Sequence, residues 1–198
     1  MHEYHLSTPL SEKDISQLNV GDIVYLSNKI ITAKDMAHLR LQNYYNRDIK
    51  FEEELEGGAI FHAGPVVKLE DDEYSMLAIG PTTSSRMEKY SGLVGELGIK
   101  ALIGKGGMGM YTADMMKKYN MVYLTAAHGC ATVHTKKVKK VLKQYWMDEV
   151  GMPEAIWLIE VEELGPLVVG IDSKGNNLFE QVRRNAYTII EELYALDK

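Results

Sequence analysis

Apolar and polar positions along the chain fall into short blocks of two kinds. Ile23-Val24-Tyr25-Leu26 and Ile30-Ile31-Thr32 are β-rich runs on either side of the polar Ser27-Asn28-Lys29, a pattern that predicts a hairpin. From Ala33 to about Tyr45, Met36, Ala37, Leu39, Leu41 and Tyr44 recur among Lys34, Asp35 and Arg40 in the way of a partly buried helix. Ala59 to Ala63 and Tyr74 to Ile79 are strand candidates separated by a polar turn from Lys68 to Glu73, and each runs into a Gly-Pro pair. Beyond Ile79 helix and strand alternate. A helix is expected from about Ser84 to Leu97, a strand over Ala101–Ile103, a helix from about Met108 to Lys118, a strand over Val122–Leu124 and a helix near Ala131 to Lys137. Val141 to Trp146, Ile156 to Val161 and Leu167 to Ile171 resume strands, and Leu178 to Leu196 closes as an amphipathic helix. Such alternation implies βα units, so the fold class is α/β with β-rich edges. Residues 1–20 read as a polar lead-in with one short helix capped by Ser11 and broken by Gly21, and residues 21–198 as a single domain.

Length and composition sharpen this picture. A chain of 198 residues with 45% apolar and 25% charged residues is long enough for a real core and has the usage of an ordinary folded domain. No apolar run approaches the roughly 18 to 20 residues needed to span a bilayer, and Met1-His2-Glu3-Tyr4-His5 lacks the order of a signal peptide, so a cytoplasmic protein is expected. The net charge of −6 opposes nucleic-acid binding while leaving room for a local basic pocket. The single cysteine, Cys130, cannot hold an iron-sulfur cluster or a Cys-rich zinc site, so any such group must come from another chain.

Two stretches carry candidate chemistry. Gly80-Pro81-Thr82-Thr83-Ser84-Ser85-Arg86-Met87-Glu88 joins a strand to a helix, offers four consecutive hydroxyls at the helix start, and contains Ser85 and Glu88 at capping-box spacing. Free N–H groups there attract anions, and Arg86 in the first turn calls for a negative partner, either a bound carboxylate or a surface acid. The second stretch, Gly104-Lys105-Gly106-Gly107-Met108-Gly109, fits the spacing of a dinucleotide-binding turn, but no acid closes the next strand, where Val122-Tyr123-Leu124 runs into Thr125-Ala126-Ala127. It also fails as a P-loop because Gly106 follows Lys105 where a hydroxyl is needed. What remains is a glycine turn that presents one lysine, either to a ligand the backbone can approach or, in a plain tight turn, to solvent. His62 reads as a hydrogen-bonded core histidine and His38, four residues after Lys34, as helix packing or a local hydrogen bond. Cys130 reads as a packed thiol at a helix entry, the lysines at 136, 137, 139 and 140 as a solvated face, and His128 has no assigned role.

The ordered set Thr32-Ala33-Lys34-Asp35-Met36-Ala37-His38, Gly64-Pro65, Gly80-Pro81-Thr82-Thr83-Ser84-Ser85-Arg86-Met87, Gly104-Lys105-Gly106-Gly107, Gly151-Met152-Pro153-Glu154-Ala155 and Asp172-Ser173-Lys174-Gly175 resembles the beta subunit of two-subunit class I fumarases and L-tartrate dehydratases. The resemblance implies a swivelling β/β/α domain, with a mixed β-sheet core and flanking helices, that closes over a 4Fe-4S cluster carried by an alpha subunit. It also implies a hetero-oligomer acting on a dicarboxylate, fumarate and malate in the first reading and tartrate in the second. Thr82 matches the threonine proposed as general base; Arg86 and Lys105 match carboxylate-binding positions, and Thr83 assists. Lys34 stands where the family usually has an arginine clamp; lysine keeps the charge but loses the planar two-pronged grip. A dinucleotide-binding oxidoreductase domain and a non-catalytic dicarboxylate-binding module are the alternatives.

Overall fold

Three short, wholly apolar segments form the centre of the fold. Strand geometry sends successive side chains to opposite faces, so Ala59, Phe61, Ala101, Ile103, Val122 and Leu124 enter one buried cluster while Ile60, Leu102 and Tyr123 enter another. Strands buried on both faces lose the apolar-polar alternation that marks a half-exposed strand. The computed structural model describes residues 1–71 and 73–196.

In chain order the elements are β1 (Glu3–Ser7), α1 (Glu12–Ser16), β2 (Ile23–Thr32), α2 (Asp35–Asn46), β3 (Ala59–Phe61), β4 (Val66–Glu70) and β5 (Glu73–Ala78). A 3-10 helix (Ser84–Tyr90) runs into α3 (Ser91–Glu96), followed by β6 (Ala101–Gly104), α4 (Met110–Tyr119), β7 (Val122–Ala126) and α5 (Ala131–Thr135). The chain ends with β8 (Val138–Tyr145), α6 (Met147–Val150), β9 (Ile156–Ile171) and α7 (Leu178–Leu196). Seven strands make one sheet in the order β1-β2-β3-β6-β7-β9-β8, and a further β2–β9 pairing closes its middle into a barrel-like ring. β1, β2, β3, β6 and β7 pair in parallel, whereas β9 runs antiparallel to β2, β7 and β8. One cluster, with Trp157, Phe61, Leu26 and Val169, is packed by the strands; the other joins the sheet to the helices through Leu41, Met87, Val94 and Met116. The architecture is the expected mixed α/β sheet core flanked by helices.

Several element boundaries differ from the sequence reading. The expected hairpin at Ser27–Lys29 is one continuous strand, β2. Asn28 takes a left-handed conformation at φ 79°, and the pairing with β9 shifts register on either side of Leu26, so the polar triplet makes a bulge rather than a reversal. Both halves find their antiparallel partner in β9, which merges the two expected strands over Ile156–Val161 and Leu167–Ile171. Asn28 Nδ2 donates to the Thr8 carbonyl at 2.7 Å, fixing the bulge to the segment after β1. β1 itself is an addition to the lead-in: Tyr4 and Leu6 pack on the core while Glu3, His5 and Ser7 face out, a five-residue alternation too short to stand out among polar neighbours. The polar turn expected over Lys68–Glu73 is narrower, because Val66–Glu70 pairs with β5. The capping box at Ser85 and Glu88 does not form; the cap residue of the 3-10 helix is Thr83, with no side-chain cap, and Glu88 bonds elsewhere. The short helix capped by Ser11 does form, with Asp14 completing its box.

Candidate functional site

Because β2, β3, β6 and β7 are parallel, their carboxyl ends share one rim, where open α/β sheets place ligands. Lys34 follows β2, His62 follows β3 and Lys105 follows β6. The loop from Pro81 to Ser84 inserts between the last two as a strip of backbone. Pro81 bridges Ala63, Thr82 N–H donates to the His62 carbonyl at 2.7 Å, Lys105 N–H donates to the Thr82 carbonyl at 3.1 Å, and Ser84 N–H donates to the Lys105 carbonyl at 3.1 Å. Thr82, Ser84 and Lys105 are thus held in this strip by main-chain bonds, so the position of the loop does not depend on the side chains of Thr82, Thr83 or Lys105.

Arg86 reaches across this strip. Its Nε and Nη2 donate to the two carboxylate oxygens of Asp35 at 3.2 and 3.1 Å, and Nη2 also donates to Thr82 Oγ1 at 3.0 Å. The paired guanidinium holds the Asp35 carboxyl below its ordinary value, and Asp35 in turn raises Arg86. Lys34 Nζ pairs with Glu154 Oε1 at 2.6 Å, and Glu154 Oε2 accepts the Met36 N–H at 3.0 Å. Lys34 is the residue before α2 and caps nothing with its side chain, so Asp35 and Glu154 supply the negative charge that the positive end of α2 favours. Arg86 remains half exposed, whereas Lys34 is mostly covered, with 17% side-chain exposure. Lys105 makes no ion pair among the described residues.

Under the strip lies a buried polar layer. Ser84 Oγ and His62 Nδ1 are 2.9 Å apart, both residues fully buried. A Cβ on Gly104 would lie 1.8 Å from that Ser84 oxygen, so only glycine lets β6 pass beneath the loop. His38 Nδ1 sits 2.8 Å from the Lys34 carbonyl and its ring is 5.3 Å from that of His62. Since a carbonyl only accepts, His38 carries its proton on Nδ1. Burial drives its pKa down to about 4, against smaller opposing pulls from Lys34, Asp35 and Glu154. Burial also drives His62 well below the usual range, with His38 and Arg86 adding to the effect. Both rings are therefore neutral near pH 7 and act as packing and hydrogen-bonding groups, as read for His38 and His62 from the sequence.

The structure brings the five singled-out residues, Lys34, Thr82, Thr83, Arg86 and Lys105, to one rim. It adds Asp35, Glu154 and Ser84, which have no individual role in the sequence reading of the site. Asp35 stood in a recognised element as an ordinary helix-start acid, and only the tertiary approach of Arg86 gives it a role. Arg86 meets a surface acid, the alternative that residue types left open for it, and the same guanidinium touches Thr82. Hydrogen bonding to Thr82 Oγ1 favours the negative form of that oxygen, so the arrangement can lower the cost of proton transfer there.

The glycine turn after β6 does not leave the opening a dinucleotide needs. A Cβ on Gly107 would lie 2.8 Å from the Phe179 ring, and Glu88 Oε1 accepts the Thr112 N–H at 3.3 Å in the first turn of α4, where a pyrophosphate would have to bind. Cys130 Sγ rests 3.3 Å from the Ala127 carbonyl and 3.6 Å from His134 Nε2, while His128 is exposed. Among the described residues no three His, Cys, Asp or Glu side chains converge to hold a metal, and one cysteine is too few for the thiolate bonds that hold an iron-sulfur cluster. No described helix is long and apolar enough to cross a membrane.

The class the fold and rim define is a mixed α/β domain with cations and hydroxyls gathered at the carboxyl ends of its parallel strands. Within that class, the sequence profile described as Fumarase C-terminus matches residues 1–182, and the chain belongs to that family. It is 43% identical over 191 residues to a Methanocaldococcus jannaschii protein whose name provisionally assigns it as an L(+)-tartrate dehydratase subunit beta, covering 94% of this chain and 96% of that one. It is 38% identical over 180 residues to the L(+)-tartrate dehydratase subunit beta of Escherichia coli, covering 90% and 88% respectively. A Geobacillus stearothermophilus protein provisionally named a fumarate hydratase class I is 37% identical over 183 residues, 91% of this chain but 34% of that longer one.

Proposed function

We propose that this chain is the beta-type subunit of a hydro-lyase that adds water to, or removes it from, a four-carbon dicarboxylate, with fumarate and malate as the first substrate pair. The observation that carries the reading is the contact chain from Asp35 through Arg86 to Thr82 beside Lys105, in a member of the Fumarase C-terminus family. Tartrate is the second reading, favoured by the names of the two full-length relatives above.

In this reading Arg86, Lys105 and Lys34 bind the substrate carboxylates, and Thr83 adds a hydroxyl contact. Asp35 and Glu154 hold the arginine and lysine in place, so an incoming carboxylate meets side chains already oriented. Thr82 Oγ1 takes or returns the proton at the reacting carbon, with the Arg86 guanidinium stabilising its negative form. A free threonine hydroxyl is too weakly acidic for that role at neutral pH, so a further activating group is expected from a partner chain. That partner, an alpha-type subunit in a hetero-oligomer, would hold the 4Fe-4S cluster, which would supply Lewis-acid chemistry at the substrate oxygen, while the residues of this chain bind the carboxylates and move the proton. One thiol on this chain is too few to hold such a cluster.

The test is anaerobic co-expression with an alpha-type chain, followed by fumarate hydration and by malate and tartrate dehydration. Activity with one dicarboxylate and none with this chain alone is the expected result. Stoichiometric iron and sulfide on the purified chain alone, or turnover without a partner, overturns the division of labour. A dicarboxylate-binding module without activity in the reconstituted complex overturns the enzyme reading.

A further inference from the structure

β5 and β8 each leave one edge open. β8 ends the seven-stranded sheet with β9 on one side of it, and β5 belongs to a sheet of two strands in which β4 is its partner among the described residues. The two strands approach one another around a cleft of about 740 Å³ lined by residues 73–76 of β5 and 138–144 of β8. Successive side chains of a strand point to opposite faces, so a cleft touched by every residue from 138 to 144 meets β8 at its edge, where unpaired N–H and C=O groups lie. β5 forms the second wall, and that wall is anchored. Tyr74 stands edge-to-face on Trp157 with ring centres 5.2 Å apart, and Tyr74 and Met76 pack against the core cluster built by the strands. None of the rim residues lines this cleft.

The charge of the cleft identifies its occupant. Lys139, Lys140 and Lys143 line it against one acid, Glu73, in a chain whose net charge is −6. Lys139 pairs with Glu162 and Lys143 lies 3.4 Å from both Glu52 and Glu53, yet all three lysines are exposed, and Lys140 makes no ion pair among the described residues. An open strand edge binds an extended chain through main-chain bonds, and side chains of the added strand then meet the residues beside that edge. Three lysines there favour acids on the added strand and oppose a basic one. The acidic run of this chain at residues 52–56 is not free to serve a second copy in this way. Phe51 and Leu55 bury it against the core, and Glu52 and Glu53 already face Lys143. We infer that the cleft between β5 and β8 is a docking site for an extended acidic segment of another protein, which adds to the open edge of β8 as a further strand. The inference does not depend on the chemistry assigned to the rim site.

The test titrates the full chain into a fluorescein-labelled, end-capped octapeptide of alternating glutamate and valine, read by fluorescence anisotropy. Saturable binding at micromolar concentration is expected, weaker as salt rises, with slowed hydrogen exchange at the amides of residues 138–144. Lys140→Glu is expected to raise the dissociation constant about 10-fold at an unchanged melting temperature, because Lys140 is exposed and unpaired among the described residues. The same peptide N-methylated at its third and sixth amides tests the strand pairing with the protein unaltered: it keeps every charge, loses one N–H from each alternating set, and is expected not to bind. No binding of the parent peptide, equal binding of the N-methylated peptide or of a single-stranded oligonucleotide, or protection confined to the rim overturns the inference. So does a cleft that binds nothing in a chain whose Lys140→Val variant aggregates, because the lysines then serve to blunt an open edge.

Discussion

Thr82 and Arg86 meet at the start of the 3-10 helix, where residue types mark a cation and four hydroxyls and only the family resemblance picks out Thr82 among them. What the sequence could not show is the partner of Arg86, which depends on bringing residue 35 beside residue 86 across the rim. The network gives Thr82 a role separable from folding: its side chain is partly exposed and among the described residues its hydroxyl hydrogen-bonds with Arg86 Nη2 alone, while its backbone bonds do not involve the hydroxyl. Thr82→Val in the reconstituted complex is therefore expected to lower turnover about 100-fold to 10,000-fold, as loss of a general acid or base does, with melting temperature unchanged. Normal turnover in the folded fraction of a destabilised variant would make Thr82 structural. Arg86→Ala removes a charge-assisted contact worth roughly 1.5 to 3 kcal/mol and is expected to raise the Michaelis constant by about 10-fold to 150-fold. Unchanged kinetics would remove Arg86 from the site. At Lys34 the side chain is mostly covered and engaged by Glu154, so Lys34→Arg tests whether the pocket is shaped for lysine: tolerance or a lower Michaelis constant fits a carboxylate clamp, and collapse of activity fits a lysine-specific packing.

At the scale of elements, the rim depends on how closely β6 passes beneath the Pro81–Ser84 loop. Gly104 makes that approach possible, and a methyl group there meets Ser84 Oγ and, at 3.2 Å, His62 Nδ1. Neither neighbour is a flexible chain end; both are buried and bonded to each other. Gly104→Ala is therefore expected to cost about 1 to 3 kcal/mol, the usual range for overpacking a core, read as a lower urea midpoint at unchanged slope. It should also displace Thr82 and Lys105, whose backbones are tied to the same strip, so weaker dicarboxylate binding should accompany the loss of stability. A neutral substitution would show that the loop can lift away without consequence. Sequence periodicity revealed the alternating helices and strands of the second half because each is bounded by glycine or polar turns. It misplaced the Ser27–Lys29 reversal and split β9 because a bulge and a turn share the same residue types. The difference between them lies in which strand supplies the partner, a tertiary fact.

For the whole molecule, acid stability follows from what the fold buries between the rim and the second core cluster. His38 stacks on Tyr90, faces His62 edge to face, and bonds the Lys34 carbonyl; Asp35 and Glu154 pull its pKa up, but burial outweighs them and leaves it at about 4 against an ordinary 6.5. Below pH 6.5 the unfolded chain binds a proton on this residue that the folded chain refuses until about pH 4, so the stability contributed by keeping it neutral is present above 6.5 and is lost as pH falls through that interval. The linkage amounts to about 2 kcal/mol between pH 7 and pH 5 for His38, and His62 acts in the same direction. Asp35 also stabilises through a lowered carboxyl, but its loss belongs to more acid conditions, below its own unfolded value of 3.8, so the two contributions separate on the pH axis. The expected outcome is a urea midpoint that is level above pH 7 and falls steeply between pH 6.5 and 5. His38→Gln lowers stability at pH 7 by disturbing the packing, yet it should flatten the fall, because one of the two proton-binding differences is gone. A variant with the full acid slope of the parent would show that His38 takes up its proton in the folded state, and the buried layer beneath the rim would then be open to water.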